Sequence, residues 1–302
     1  TGPATYAVFD RGDRAFNAPS GLAFTRDGSL AVVHRSSGDL GVLEPEATAP
    51  ATRVLASHRA GKGPGGVTID PVTGHAFVDN AFDGSVTRID LEGGDPPLTR
   101  LRSLPKRFSA AALAGRRTFH DARNVHLTPL AVVACSTCHP EGADDGLVWS
   151  LHAGAVTPRA RRSMHLGVAP LGLAGLHWDS EFLALRPLLD STVQNLMGGD
   201  ALLLDAANFQ AYLAEIVRPP PGRPGPESAA GRAVFEAAGC ANCHAGERFT
   251  DDVMHAVLTP MTNTPGDTLT SARTPSLLGV SQRAPYFHDG RSPDLADLHT
   301  RA

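Results

Sequence analysis

The four cysteines fall into two pairs with two residues between, and each pair is followed at once by histidine: Cys135-Ser136-Thr137-Cys138-His139 and Cys240-Ala241-Asn242-Cys243-His244. Positions i and i+3 of a helical turn face one side. Two thiols placed there can form thioether bonds to two vinyl groups on one edge of a porphyrin. The next residue then turns its imidazole under the ring and ligates the iron. This is the pattern of c-type haem attachment. The competing readings are a disulfide framework, a zinc site or a thioredoxin-like pair. A thioredoxin-like pair needs no following His and is not expected twice. Zinc held by all six groups would have to bridge a separation far beyond usual zinc spacings. The expected cofactors are therefore two covalently bound haem c groups, with His139 and His244 as iron ligands. Attachment occurs outside the cytoplasm, so the same motifs point to the bacterial periplasm or cell exterior.

The bulk composition is compatible with that reading. The chain has 302 residues, with 42% hydrophobic and 19% charged residues, as in ordinary globular proteins. Its length exceeds what one core usually serves, so two or three domains are expected. A net charge of -4 gives no reason to expect a nucleic-acid or membrane-surface partner. No apolar run approaches the roughly 18 residues needed to span a bilayer. The chain opens at Thr1 without a signal peptide, so export implies a mature or trimmed form.

The later two thirds reads as a tandem. Gly115-Arg116-Arg117-Thr118-Phe119 precedes the first motif and Gly231-Arg232-Ala233-Val234-Phe235 the second, each with Gly and Phe on one helical face. Arg161 with Leu166-Gly167-Val168 is echoed by Arg273 with Leu278-Gly279-Val280 at the same spacing. Phe209, Leu213 and Ile216 share a face of a helix that a Pro-rich stretch from Pro219 stops.

The first third has no Cys and reads as strands. Pro19 to Phe24, Asp27-Gly28 and Leu30 to Val33 recur as Pro64 to Ile69, Thr73-Gly74 and Ala76 to Val78, at an offset of 45 to 46 residues. That offset is close to the period of a four-stranded propeller blade. The expected fold is multidomain: a partial all-β propeller of about two blades at residues 1–103, followed by two tandem mainly α cytochrome c domains. The first spans 104–218 and the second 228–302, joined by a Pro-rich linker at 219–227. A small independent β-domain is the alternative for the first third. Upstream sequence or another chain is expected to complete the propeller.

Residues from about 110 to 302 resemble the bacterial di-haem cytochrome c peroxidase family, which includes the di-haem oxidase type of methylamine utilisation. The matching segments are Gly115 to Phe119, Cys135 to Gly142, His177-Trp178-Asp179, Cys240 to His244, Thr274 to Leu277 and Ala284 to Gly290. Fusion of such domains to propellers is a recurrent arrangement. The resemblance implies that the first haem reacts with hydrogen peroxide or a related oxidant. The second passes electrons to it, with Trp178 as the relay. An electron-donor protein, a small cytochrome or cupredoxin, or a larger redox complex is the implied partner. A calcium ion between the haems is a further implication, near Thr274 and Pro275.

The distal ligands stay open. For the first haem, His165 or His177 is the candidate sixth ligand, imidazole being suited to iron; a surface or packing role is the alternative for each. For the second, the family places a Met or Tyr beyond the segment holding Tyr286, and this chain has neither there. His299, Met254, Met261 or a residue beyond Ala302 remains. The family's proton-moving Glu is absent from Asn195-Leu196-Met197-Gly198-Gly199-Asp200, where Asp200 or Glu181 could substitute. A subunit that only transfers electrons or serves structurally is the alternative to a peroxide-reducing enzyme.

Overall fold

The computed structural model describes residues 16–44, 53–93, 97–101, 108–129, 131–142, 145, 150–152, 155–156, 176, 181–216, 224–262, 268–282, 284–287 and 290–301. The chain folds as two compact units, residues 1–137 and 138–302. The expected boundary at 103 and 104, and residues 219–223 of the expected linker, lie outside the described residues.

The first unit holds two four-stranded antiparallel meanders. β1 (Pro19–Phe24), β2 (Leu30–His34), β3 (Asp39–Leu43) and β4 (Val54–Arg59) pair in chain order. So do β5 (Pro64–Ile69), β6 (Ala76–Asn80), β7 (Ser85–Ile89) and β8 (Leu98–Leu101). Alternation of side chains puts Ala31, Val33, Leu40 and Val42 of one sheet into a shared core with Ala76, Val78 and Ile89 of the other. The internal repeat shows in the turns. Gly38 N–H donates to His34 at 2.9 Å, and Gly84 N–H donates to Asn80 at 2.9 Å, both glycines having left-handed φ. A Cβ on Gly21 would lie 3.0 Å from the Gly66 Cα, so the close approach of β1 to β5 favours glycine there.

α1 (Ala110–His120) follows, capped by the Ser109 hydroxyl, which accepts from Ala112 N–H at 3.1 Å. Its buried face carries Ala112, Gly115 and Phe119. The chain beyond α1 is pinned to the β2–β3 turn. Ala122 N–H donates to Ser36 at 3.0 Å, and Arg123 Nε donates to Ser37 at 2.8 Å. The Arg123 guanidinium also donates to Asp39, 1% exposed, at 2.7 Å. Arg59 reaches the same carboxylate at 3.3 Å.

The second unit contains α3 (Leu185–Asp190), continued by a wider helical turn over Ser191–Leu196, and α4 (Ala206–Glu215). Leu189, Val193, Met197, Leu204, Phe209 and Leu213 are among its buried apolar residues. Then come α5 (Ser228–Ala237), the β11 (Met254–Thr262) and β12 (Thr268–Arg273) hairpin, and α6 (Leu295–Arg301). Before α3 lie α2 (Cys135–Cys138), which crosses the unit boundary, and the β9 (Ser150–His152) and β10 (Ala155–Val156) pair.

The expected fold class, a partial all-β propeller followed by two mainly α domains, is corrected by this arrangement. Helix and strand are mixed along the chain, and every sheet formed by the described residues is open and antiparallel. The first unit ends in a helix rather than in strands alone. In the later half, Thr and β-branched residues of 254–273 favour a long hairpin. Pro and Gly limit its helices, of which α4 and α5 reach only 10 residues each. Among the described residues, no helix is long and apolar enough to cross a membrane.

Candidate haem-attachment turns

The second motif is built from α5 onward. Gly239, at φ +79°, ends that helix in the left-handed conformation. A tight turn, Cys240–Asn242, follows at once. His244 N–H donates to the Cys240 carbonyl at 2.9 Å and Cys243 N–H to the same oxygen at 3.3 Å. The five motif residues thus form a single helical turn with both cysteines free and half-buried.

His244 is oriented through its ring. Its Nδ1 lies 3.0 Å from the Phe249 carbonyl oxygen. Donation there fixes the proton on Nδ1 and leaves the Nε2 lone pair for a metal, the usual outer-shell device of ligating histidines. Phe249 holds a left-handed φ of +52°, a conformation that costs energy in a non-glycine residue and must be held by its surroundings. The surroundings come from the Thr274–Leu277 segment. The Ser276 hydroxyl donates to the Arg248 carbonyl at 2.5 Å. Thr250 Oγ donates to Thr274 at 2.7 Å, and Thr274 N–H donates to Val253 at 3.0 Å. The segment expected near a calcium ion therefore serves here as an anchor for the loop that positions His244.

Haem c fits these residues. A free imidazole nitrogen and two free thiols share one turn. Beside them α5 buries none of its residues, leaving Val234 68% exposed, and Phe249 is 46% exposed. An apolar helix face without a core of its own suits the apolar plane of a porphyrin.

The first motif is a helical turn as well. Within α2, Ser136 is buried, and its hydroxyl lies 3.3 Å from that of Ser36. Thr137 Oγ accepts from Ala134 N–H at 3.0 Å, and Asn17 Nδ2 donates to Val132 at 2.9 Å. These contacts hold the preceding strand of chain and the buried side of the turn, while Cys135 and Cys138 are half-buried. Gly142 N–H donates to the His139 carbonyl at 3.2 Å, closing the turn beyond.

His165, His177 and Trp178 lie outside the described residues. Asp200 is exposed, and its carboxylate accepts from Leu202 N–H at 3.1 Å as the cap of a short turn. His299 is exposed on α6. Met254, on β11, is 37% exposed; of the Met261 side chain nothing is described.

Sequence reasoning missed three features. The His244–Phe249 bond joins residues five apart with no motif to announce it. The buried Asp39–Arg123 pair spans 84 positions. Cys243, Asp251 and His255 converge, with donor atoms all within 4.8 Å of one another.

No protein-family model and no curated protein sequence matches this chain. Among solved structures, the chain is similar to a MauG-like protein associated with microbial copper homeostasis. Identity is 21% over 65% of this chain and 76% of that one, with a TM-score of 0.47. It is also similar to Kuenenia stuttgartiensis hydrazine synthase, at 16% identity over 66% of this chain and 80% of that one, with a TM-score of 0.49.

Proposed function

We propose that the chain is a di-haem c-type redox protein acting outside the cytoplasm. The observation that carries this reading is the second motif's geometry: both thiols and a tautomer-fixed imidazole on one turn, beside an uncovered apolar helix face. Bound haem supplies a one-electron iron couple. The chain's own residues hold it: Cys135 and Cys138 with His139, and Cys240 and Cys243 with His244. The His244–Phe249 hydrogen bond sets the ring orientation and raises the basicity of Nε2.

The finer reading is reduction of hydrogen peroxide or a related oxidant at the first haem. Two electrons and two protons convert hydrogen peroxide into two waters. A donor protein, a small cytochrome or cupredoxin, supplies the electrons through the second haem. A specific observation favours a second reading, an electron-transfer subunit. Asp200, the acid nearest the family's proton-moving position, is committed to capping a turn.

Low-temperature EPR of the oxidised protein, repeated after one electron per molecule, separates these readings. A high-spin signal in either state supports peroxide reduction. Two persistent low-spin signals favour the electron-transfer subunit. Absence of any haem signal after production with a haem-attachment apparatus overturns both.

A further inference from the structure

Beside the second motif, three different donor types meet. The Cys243 sulfur, an Asp251 carboxylate oxygen and a His255 ring nitrogen lie within 4.8 Å of one another. We propose that, before haem is attached, Cys243, Asp251 and His255 bind a divalent cation of the zinc class, which competes with haem for the second motif. The competition rests on the haem reading; the cation site does not.

The donors suit that ion. Zinc takes thiolate, imidazole and carboxylate at about 2.0–2.3 Å in a tetrahedron, and three protein ligands leave one position for water. Calcium is unsuited, since it needs six or more oxygen donors and this group offers a single carboxylate. The local backbone preorganises the set. Asp251 N–H donates to the Cys243 carbonyl at 2.7 Å, tying the loop to the cysteine. Val253 N–H donates to Asp251 Oδ1 at 3.1 Å. Its Oδ2 meets His255 Nε2 at 2.8 Å. A cation entering there takes over an existing carboxylate–imidazole contact, and the sulfur closes the third side. His255 is 46% exposed, so the site is open to solvent.

Occupancy by metal and by haem exclude each other chemically. Coordination exchanges the Cys243 thiol proton for the cation. Haem attachment instead adds the S–H bond across a vinyl group: sulfur bonds one carbon, the hydrogen goes to the other, and no oxidant is consumed. The resulting thioether has no thiolate charge and is a weak zinc ligand. A thiolate held by zinc is, in turn, withheld from the vinyl group.

The test uses the full chain made without haem, its thiols reduced, titrated with Co²⁺ as a spectroscopic stand-in for Zn²⁺. The expected result is a thiolate-to-cobalt charge-transfer band that Zn²⁺ bleaches. His255→Ala and Asp251→Asn weaken it at least about tenfold. Cys243→Ala abolishes it. Cys240→Ala keeps it, since that sulfur is outside the group. Circular dichroism checks that each variant folds. Absence of the band, its survival unchanged in both His255→Ala and Asp251→Asn, or its appearance in haem-loaded protein would overturn the proposal. Haem loading is read separately by mass, so failure of haem attachment leaves the cobalt result interpretable.

Discussion

His244 Nδ1 stands 3.0 Å from the carbonyl oxygen of Phe249, a residue held at φ +52°. The left-handed backbone aims that carbonyl at the imidazole, and Ser276 and Thr274 hold the residues on either side of it. The orientation of the His244 ring is thus set by a segment more than 20 residues downstream.

Removing one anchor tests that coupling. Ser276→Ala leaves the Arg248 carbonyl without its hydroxyl donor and is expected to cost about 1–2 kcal/mol of stability. In haem-loaded protein it also broadens the low-spin signal of the second haem, because the ring loses its fixed orientation. Urea unfolding and EPR read the two effects. An unchanged signal alongside lost stability would separate the anchor from the ligand.

Asp200 offers a clean substitution. Asn caps a turn about as well as Asp but carries no acid. If Asp200 only caps, Asp200→Asn leaves peroxide turnover and stability unchanged, whereas Asp200→Ala costs about 1 kcal/mol. A fall of about 100-fold or more in turnover for Asp200→Asn would instead make Asp200 the proton-moving group.

The buried carboxylate of Asp39 holds two guanidiniums, Arg123 at 2.7 Å and Arg59 at 3.3 Å. Asp39→Ala leaves the Arg123 charge uncompensated, with its side chain only 22% exposed. The expected loss is about 3–5 kcal/mol. Denaturant unfolding measures it, and a loss under about 1 kcal/mol would contradict the assignment.

Acid sensitivity follows from two histidines of the first unit. Burial, reinforced by Arg116 and Arg35, lowers His120 from 6.5 to about 3. Burial lowers His34 from 6.5 to about 4, against a hydrogen bond with the Asp39 backbone. Both are neutral when folded and take up a proton when unfolded below about pH 6.5. The unfolded chain therefore binds more protons between the folded and unfolded values, and stability falls as pH drops through that window. Near pH 5 each His is expected to contribute roughly 2 kcal/mol of loss relative to pH 7. His120→Phe should flatten the stability–pH slope between about pH 4 and 6. An unchanged slope would mean that His120 is not buried neutral.

Local patterns were legible because their physics is local. The Gly115–Phe119 and Gly231–Phe235 helix faces and the repeated strand-turn-strand segments depend on near neighbours, and they form as read. The global fold class was not legible. Residues 254–262 and 268–273 form a hairpin inside a domain expected to be mainly α, through pairing that no short window reveals. Contacts across long sequence separations were equally hidden, as with Asp39 and Arg123 or Ser36 and Ser136, 100 positions apart. Asp200 was legible only as an acid near an expected catalytic position; that it also satisfies the Leu202 N–H was not.

Covalent attachment of two haems is the central claim, and intact-protein mass spectrometry under denaturing conditions tests it most directly. The full chain is produced with a haem-attachment apparatus, alongside Cys135→Ala/Cys138→Ala and Cys240→Ala/Cys243→Ala variants. The account predicts a mass increase of two haems for the unaltered chain and of one haem for each double variant. A chain whose mass carries no haem, or two haems retained in either double variant, would contradict it.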